Sequence, residues 1–218
     1  MTALQQILVD LAPYNAQLVA VSKTKPTEAI LQVYHEGHRL FGENRAQELA
    51  AKYEKLPKDI EWHMIGHLQR KKVKYIAPFV SMIHAIDTMS LLEEVNKRAG
   101  MSERRISVLL QVKIADEESK YGFDSSDLAS VFAEIEAMSI PHVQIAGLMG
   151  MASFVEDQQQ VSAEFATLKE AFDSIKAAHY PNDPAFRILS MGMSGDYKLA
   201  LQAGSNMVRI GSLIFGAR

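Results

Sequence analysis

Leu18-Val19-Ala20-Val21-Ser22-Lys23-Thr24-Lys25-Pro26 decides how this chain is read. Four apolar residues lead into Ser22 and Lys23, and a proline follows three residues later. The apolar run predicts a strand covered on both faces, and the proline predicts a turn at its end. Lys23 then stands at the mouth of a rigid element. Partial desolvation lowers a lysine's pKa and favours the neutral amine, the form that attacks carbonyl carbon. An ordinary strand-end lysine faces water, so the rest of the chain must decide between the two.

Outward from that strand, β-rich segments alternate with amphipathic helical ones. Strands are predicted over residues 18–23, 38–44, 60–66, 81–87, 106–114, 143–151, 186–193 and 207–215. Helices are predicted over 26–37, 45–56, 69–79, 88–100, 125–139 and 157–179, with a short one ending near 203. The first of these opens on Pro26 and ends before Gly37, as helix termini prefer. Thr88 is placed as an N-cap. Eight strands alternating with seven helices predict an α/β fold of parallel strands, and eight strands close a (β/α)8 barrel. The competing architecture is an open doubly wound sheet, which usually carries a glycine-rich first turn. Here that turn is Ser22-Lys23-Thr24-Lys25-Pro26, without glycine. One barrel domain over 1–218 is expected. An extra N-terminal helix near 2–12 is expected to stand in for a missing last helix.

Composition narrows the function classes. The 218 residues are 48% hydrophobic and 22% charged, ordinary for a globular chain, and the net charge of −3 points to no nucleic-acid partner. With no cysteine, disulfides and thiolate chemistry are excluded. The N-terminus lacks a signal-peptide pattern, no apolar run reaches spanning length, and a cytoplasmic location is expected. The basic run Arg70-Lys71-Lys72-Val73-Lys74 reads as a solvated helix face, with a contact patch for partner enzymes as the weaker reading.

In such barrels the site lies at the carboxyl ends of the strands. Lys23, Asn44, His67, Asp87, Lys113 and the segments 149–151, 190–194 and 209–212 should therefore converge. Ser190-Met191-Gly192-Met193-Ser194-Gly195-Asp196 leaves a strand and enters a helix, and Arg209-Ile210-Gly211-Ser212 follows on the next strand. Small residues let backbone N–H groups approach an anion, and barrels often bind phosphate between strands seven and eight. A reactive amine on strand one would neighbour that cradle in a closed ring. The pairing suits a phosphorylated aldehyde, with pyridoxal 5′-phosphate the leading candidate and Lys23 its Schiff-base partner. Arg209 would lie near the pyridine nitrogen, where a permanent cation disfavours protonation and weakens the ring as an electron sink.

Competing motifs fail on detail. Gly192-Met193-Ser194-Gly195 is one residue short of a nucleophile elbow, and no histidine follows it. Gly211 to Gly216 has P-loop glycine spacing, but Ala217 holds the lysine position. His35-Glu36-Gly37-His38 reads as a surface turn. His63 and His67 lie on a strand and the loop after it, so they share no helical face. Lys113 reads as a structural ion pair beside the acidic run 115–119.

Val21-Ser22-Lys23-Thr24-Lys25-Pro26, Phe41-Gly42-Glu43-Asn44, Trp62-His63-Met64-Ile65-Gly66-His67-Leu68-Gln69, Leu189-Ser190-Met191-Gly192-Met193-Ser194 and Val208-Arg209-Ile210-Gly211-Ser212 occur in one order and spacing. On these motifs the chain resembles the pyridoxal phosphate homeostasis proteins over nearly its whole length. The resemblance implies the alanine-racemase-like barrel of fold-type III pyridoxal-phosphate proteins. It places the cofactor lysine on Lys23, the phosphate contacts on Ser190 or Ser194 with Gly211 and Ser212, the pyridine-nitrogen contact on Arg209, and a ring-side contact on Asn44. It implies a carrier or buffer of pyridoxal 5′-phosphate without robust catalysis. Apo pyridoxal-phosphate enzymes are the expected partners, and a monomer is the expected state. Alanine racemases need a second acid–base group, a tyrosine from an additional β-domain, and no residues are expected here for such a domain. The alternative is a pyridoxal-phosphate-dependent amino-acid racemase or lyase of narrow specificity.

Overall fold

A computed structural model describes residues 1–115 and 121–216. The strands are β1 (Gln17–Val21), β2 (Leu40–Glu43), β3 (Glu61–Met64), β4 (Met82–Ile86), β5 (Ile106–Lys113), β6 (Phe123–Asp124), β7 (Val143–Met151), β8 (Ile188–Met193) and β9 (Met207–Ile210). The helices are α1 (Ala3–Leu11), α2 (Thr27–His35), α3 (Ala46–Lys55), α4 (Met89–Met101), α5 (Leu128–Ala137), α6 (Gln158–His179), α7 (Tyr197–Gln202) and α8 (Ser212–Phe215). Every strand pairing is parallel. The ring runs β1-β2-β3-β4-β5-β7-β8-β9 and returns to β1, where Val19 pairs with Arg209. This is the closed eight-stranded α/β barrel expected from the alternation of elements. The two-residue β6 is an addition: it pairs with Val112 and Lys113, at the end of β5.

Side chains alternate between two cores because a strand points successive residues to opposite faces. Val19, Val21, Met82, Leu109, Met149 and Met207 fill the barrel interior. Leu18, Ala20, Phe41, Trp62, Ile83 and Leu110 pack outward under the helices. Irregularities adjust this parity. A register shift between Ile83 and Ile86 leaves both isoleucines in the outer layer, with Ala85 inside. A second follows Val108, opposite Gly147. Gly147 has φ +148°, and a Cβ there would lie 1.8 Å from the Ile188 carbonyl oxygen, so only glycine fits.

Local chemistry sets the helix ends. Thr2 and Gln5 form a capping box on α1, Thr88 caps α4 through the Leu91 N–H, and Asp157 caps α6. Pro26 is the N-cap of α2 rather than its first residue. Leu4, Ile7 and Leu11 of α1 are buried in the outer core, and Tyr197 of α7 donates to Asp10 at 2.7 Å. The helix thus lies beside the β1–β9 seam, in contact with α8.

Two predicted elements change character. The helix expected over 69–79 is a 3-10 helix, Arg70–Tyr75, whose three-residue turn sets Val73 and Ile76 on one buried side. The eighth barrel strand ends at Ile210 instead of continuing to 215, and Ser212–Phe215 is helical. Among the described residues no helix is long and apolar enough to cross a membrane.

Candidate functional site

A cavity of about 740 Å³ opens at the carboxyl ends of the strands. Lys23 enters it from the turn after β1, two residues beyond the strand end. Its neighbours in sequence are pinned from below. Ser22 Oγ donates to Glu43 Oε1 at 2.5 Å, and the Thr24 N–H donates to Glu48 Oε1 at 2.7 Å. Lys52 of α3 reaches under the turn and donates to the Ser22 carbonyl at 2.8 Å, Glu43 at 2.8 Å and Glu48 at 2.7 Å. Burial pushes the Glu43 carboxyl upward, opposed by Lys52 and Ser22. Its second oxygen is buried with no hydrogen-bond partner. An ion pair at this depth is costly to form and more costly to break. Thr24 adopts φ +65°, uncommon for a threonine, within this clamped turn.

On the other side of the seam, Ser194 and Gly211 bring the β8 and β9 turns together. The Gly211 N–H donates to Ser194 Oγ at 3.3 Å. A Cβ on Gly211 would lie 2.9 Å from the Val21 carbonyl oxygen, so a bare backbone is needed where this turn meets β1. Ser212 and Gly195 line the same end of the cavity. Asp196 closes the β8 turn by accepting from the Met193 N–H at 2.5 Å; burial raises its pKa, countered by that bond and by the Arg209 charge.

Arg209 forms part of the cavity floor and is 4% exposed. Its Nη1 donates to Ser190 Oγ at 2.6 Å and its Nη2 to the Gly150 carbonyl at 3.0 Å. Burial lowers its pKa to about 10, partly offset by Asp196, which leaves it a cation near neutral pH.

The structure therefore brings Lys23, Asn44, Ser194, Arg209, Gly211 and Ser212 to one cavity. Ser190 is a correction. It is fully buried inside the barrel, and its hydroxyl is occupied by Arg209 and His84 rather than turned to the cavity. A register shift between Ser190 and Met193 separates the two serines: Ser190 pairs with Met207 on the inner face, while Ser194 follows the strand into the turn. Lys113 pairs with Asp124 at 3.2 Å and does not line the cavity. Residues 116–120 of its expected acidic neighbourhood lie outside the described residues. His38 bonds the Leu40 carbonyl, and no metal-binding group of three occurs among the described residues.

His67 and Asp87 are among the strand-end groups expected to converge, whereas Gln111, Tyr121, Ser153 and Glu164 escaped the sequence. His67 Nδ1 bonds Asp87 at 2.8 Å, and its ring stacks on Tyr121 at 3.9 Å. Buried Gln111 holds the Tyr121 carbonyl at 2.8 Å. Glu164 of α6 accepts from the Ser153 N–H and hydroxyl at 2.6 and 2.7 Å, fixing the loop that carries Phe154 to the rim. The Gln111–Tyr121 and Ser153–Glu164 pairs join different elements, so no helix or strand period connects them in the sequence.

Amine, paired glycine–serine turns and buried guanidinium at the mouth of a closed parallel barrel define an alanine-racemase-type barrel, and residues 4–218 match the family described as alanine racemase, N-terminal domain. An alanine racemase of Clostridium difficile 630 shares this fold at a TM-score of 0.75 and 14% identity, covering 99% of this chain and 56% of that one. The chain belongs to the pyridoxal phosphate homeostasis protein family. It is 39% identical over 204 residues to the protein of that name from Aquifex aeolicus, covering 93% of this chain and 87% of the relative. PipY of Synechococcus elongatus, solved with pyridoxal phosphate bound, superposes at a TM-score of 0.85 with 33% identity and 98% of each chain covered.

Proposed function

We propose that this protein binds pyridoxal 5′-phosphate at the barrel mouth, attached reversibly through Lys23, and serves as an intracellular carrier or buffer of the cofactor. The observation that carries this reading is a single cavity lined by Lys23 on one side and by Ser194, Gly211 and Ser212 on the other, across the β1–β9 seam. The donor set fits the group: an amine for an aldehyde, hydroxyls and a bare backbone for a phosphate, and a buried cation for a ring nitrogen. The family name and the bound ligand of PipY support the same reading.

When bound, pyridoxal 5′-phosphate supplies an aldehyde that condenses reversibly with a primary amine and releases water. This chain's residues hold and orient. The Glu43–Lys52 clamp fixes the turn that presents the Lys23 amine. Ser194, Ser212 and the Gly211 backbone would hold the phosphate, with Ser190 left out of that role. Arg209 would hold the pyridine nitrogen and, as a cation, would restrain carbanion chemistry. Asn44 would contact the ring. A monomeric, cytoplasmic chain of one domain that delivers the cofactor to apo-enzymes suits these features better than an amino-acid racemase or lyase does.

The visible absorbance of purified protein, before and after borohydride, tests it. A yellow band abolished by borohydride, with the reduced adduct mapped to Lys23 and lost in Lys23→Ala, supports the reading. A colourless chain that cannot be loaded overturns it. Turnover of an amino-acid panel at about 1 per second or more would replace the carrier by the enzyme.

A further inference from the structure

Four side chains make a continuous hydrogen-bonded line through the barrel interior. Arg209 Nη1 lies 2.6 Å from Ser190 Oγ, Ser190 Oγ 3.2 Å from His84 Nδ1, and His84 Nε2 2.9 Å from His63 Nδ1. All four are buried, with exposures of 4%, 0%, 0% and 3%.

A guanidinium can only donate, so Ser190 Oγ accepts from Arg209. The Ser190 hydrogen finds its acceptor at His84 Nδ1 when that ring carries its proton on Nε2, and His84 then donates to His63 Nδ1, leaving the His63 proton on Nε2. The opposite tautomer of His84 would donate to the second lone pair of Ser190 Oγ instead and take away the acceptor of the serine hydrogen, so the geometry favours the first direction. The line ends in two uncharged imidazoles, so Arg209 remains the only cation on it. Its Nη2 is fixed separately by the Gly150 carbonyl. With both terminal nitrogens engaged on the barrel side, the guanidinium cannot rotate, and the edge it shows to the cavity is set.

We propose that Ser190, His84 and His63 are positioning residues that fix which edge of Arg209 faces the cofactor's pyridine nitrogen, and thereby tune the absorbance and affinity of the loaded protein. The inference rests on the cofactor reading above. It gives a task to a serine that the phosphate does not use and to two histidines that touch no ligand.

The test is the visible spectrum and the affinity of the full chain loaded with pyridoxal 5′-phosphate. Ser190→Ala and His84→Leu are expected to move the absorbance maximum in the same direction and to weaken binding about tenfold. The double variant should go no further than either single one, because both break one line to one guanidinium. Ser190→Thr keeps the hydroxyl and should restore the native spectrum. In an Arg209→Met background, Ser190→Ala should change nothing. A Ser190→Ala protein with native colour and affinity overturns the proposal, as does a shift that persists undiminished without Arg209. If His84→Leu fails to fold, imidazole nitrogen NMR of the native chain decides. Both histidines must carry the proton on Nε2, and a proton on His84 Nδ1 overturns the proposal. A native chain that never gains colour at Lys23 overturns the cofactor reading and this proposal with it, a result distinct from a coloured protein indifferent to Ser190.

Discussion

The Ser22 hydroxyl donates to Glu43 Oε1 at 2.5 Å, tying the residue before Lys23 to the end of the neighbouring strand. Lys52 bonds the same carboxylate oxygen and the Ser22 carbonyl. Removing one partner of this buried group leaves the other charge underpaired. Glu43→Ala is expected to destabilise the fold by about 3 kcal/mol, read from urea unfolding. It should also weaken attachment at Lys23, because the turn loses its anchor. An unchanged urea midpoint would show that the clamp does not hold the turn.

The phosphate assignment separates two neighbouring serines. Ser212→Ala should weaken pyridoxal 5′-phosphate binding about tenfold, the loss of one hydrogen bond to a charged group. Because Ser212 is exposed, stability should stay within about 0.5 kcal/mol. Competition by inorganic phosphate, read from the bound chromophore, reports the same site. Equal competition in native and Ser212→Ala proteins would move the phosphate elsewhere.

Gly147→Ala probes the barrel wall. The φ of +148° and the 1.8 Å approach to the Ile188 carbonyl leave no room for a methyl group. A loss of about 3 kcal/mol or failure to fold is expected. A native melting temperature in this variant would mean that β7 and β8 sit further apart than described.

Acid stability follows from the buried imidazoles. Burial lowers the His63 pKa to about 3, and burial, with the nearby His63 and Arg209 charges, holds His84 well below 6.5. Their folded values lie below the unfolded one, so the unfolded chain binds more protons as pH falls. Stability from these groups is present above about pH 6.5 and is lost as pH falls below it, toward pH 3 for His63, by up to about 1.4 kcal/mol per pH unit for one proton taken up. Urea midpoints at pH 7 and pH 5 check this. His84→Leu should flatten the dependence.

The barrel was legible because its strands are apolar runs and its helices carry clear end signals. β7 falls on 143–151 as the sequence predicts, and Thr88 caps α4. Lys23, Asn44, Ser194, Arg209, Gly211 and Ser212 could be placed together because each ends a strand of one closed ring. What a continuous apolar run hides is parity. Ser190 points inward by plain alternation, between the outward Leu189 and Met191, and the shift that follows it leaves Ser194 for the turn. The Glu43–Lys52 pair and the His63–His84 contact join residues 9 and 21 apart on different elements, where no helical or strand period connects them. Likewise Arg70–Tyr75 carries a helix-like pattern, yet burial of two residues three apart selects the tighter 3-10 turn.

The cavity straddles the seam where the beginning and the end of the chain meet. Lys25 Nζ reaches the carbonyls of Phe215 and Gly216 at 2.9 and 3.1 Å, across 190 and 191 residues of sequence. Closing so long a loop is the most entropically demanding contact in the ring. A ligand joined to the first strand's turn and cradled by the turns of the last two acts as a keystone: it can sit only in a finished ring, and it resists the ring's reopening. At a free concentration one thousand times its dissociation constant, such a ligand adds about 4 kcal/mol to the folded state. The supply of the small molecule would then govern the lifetime of the protein as well as its occupancy.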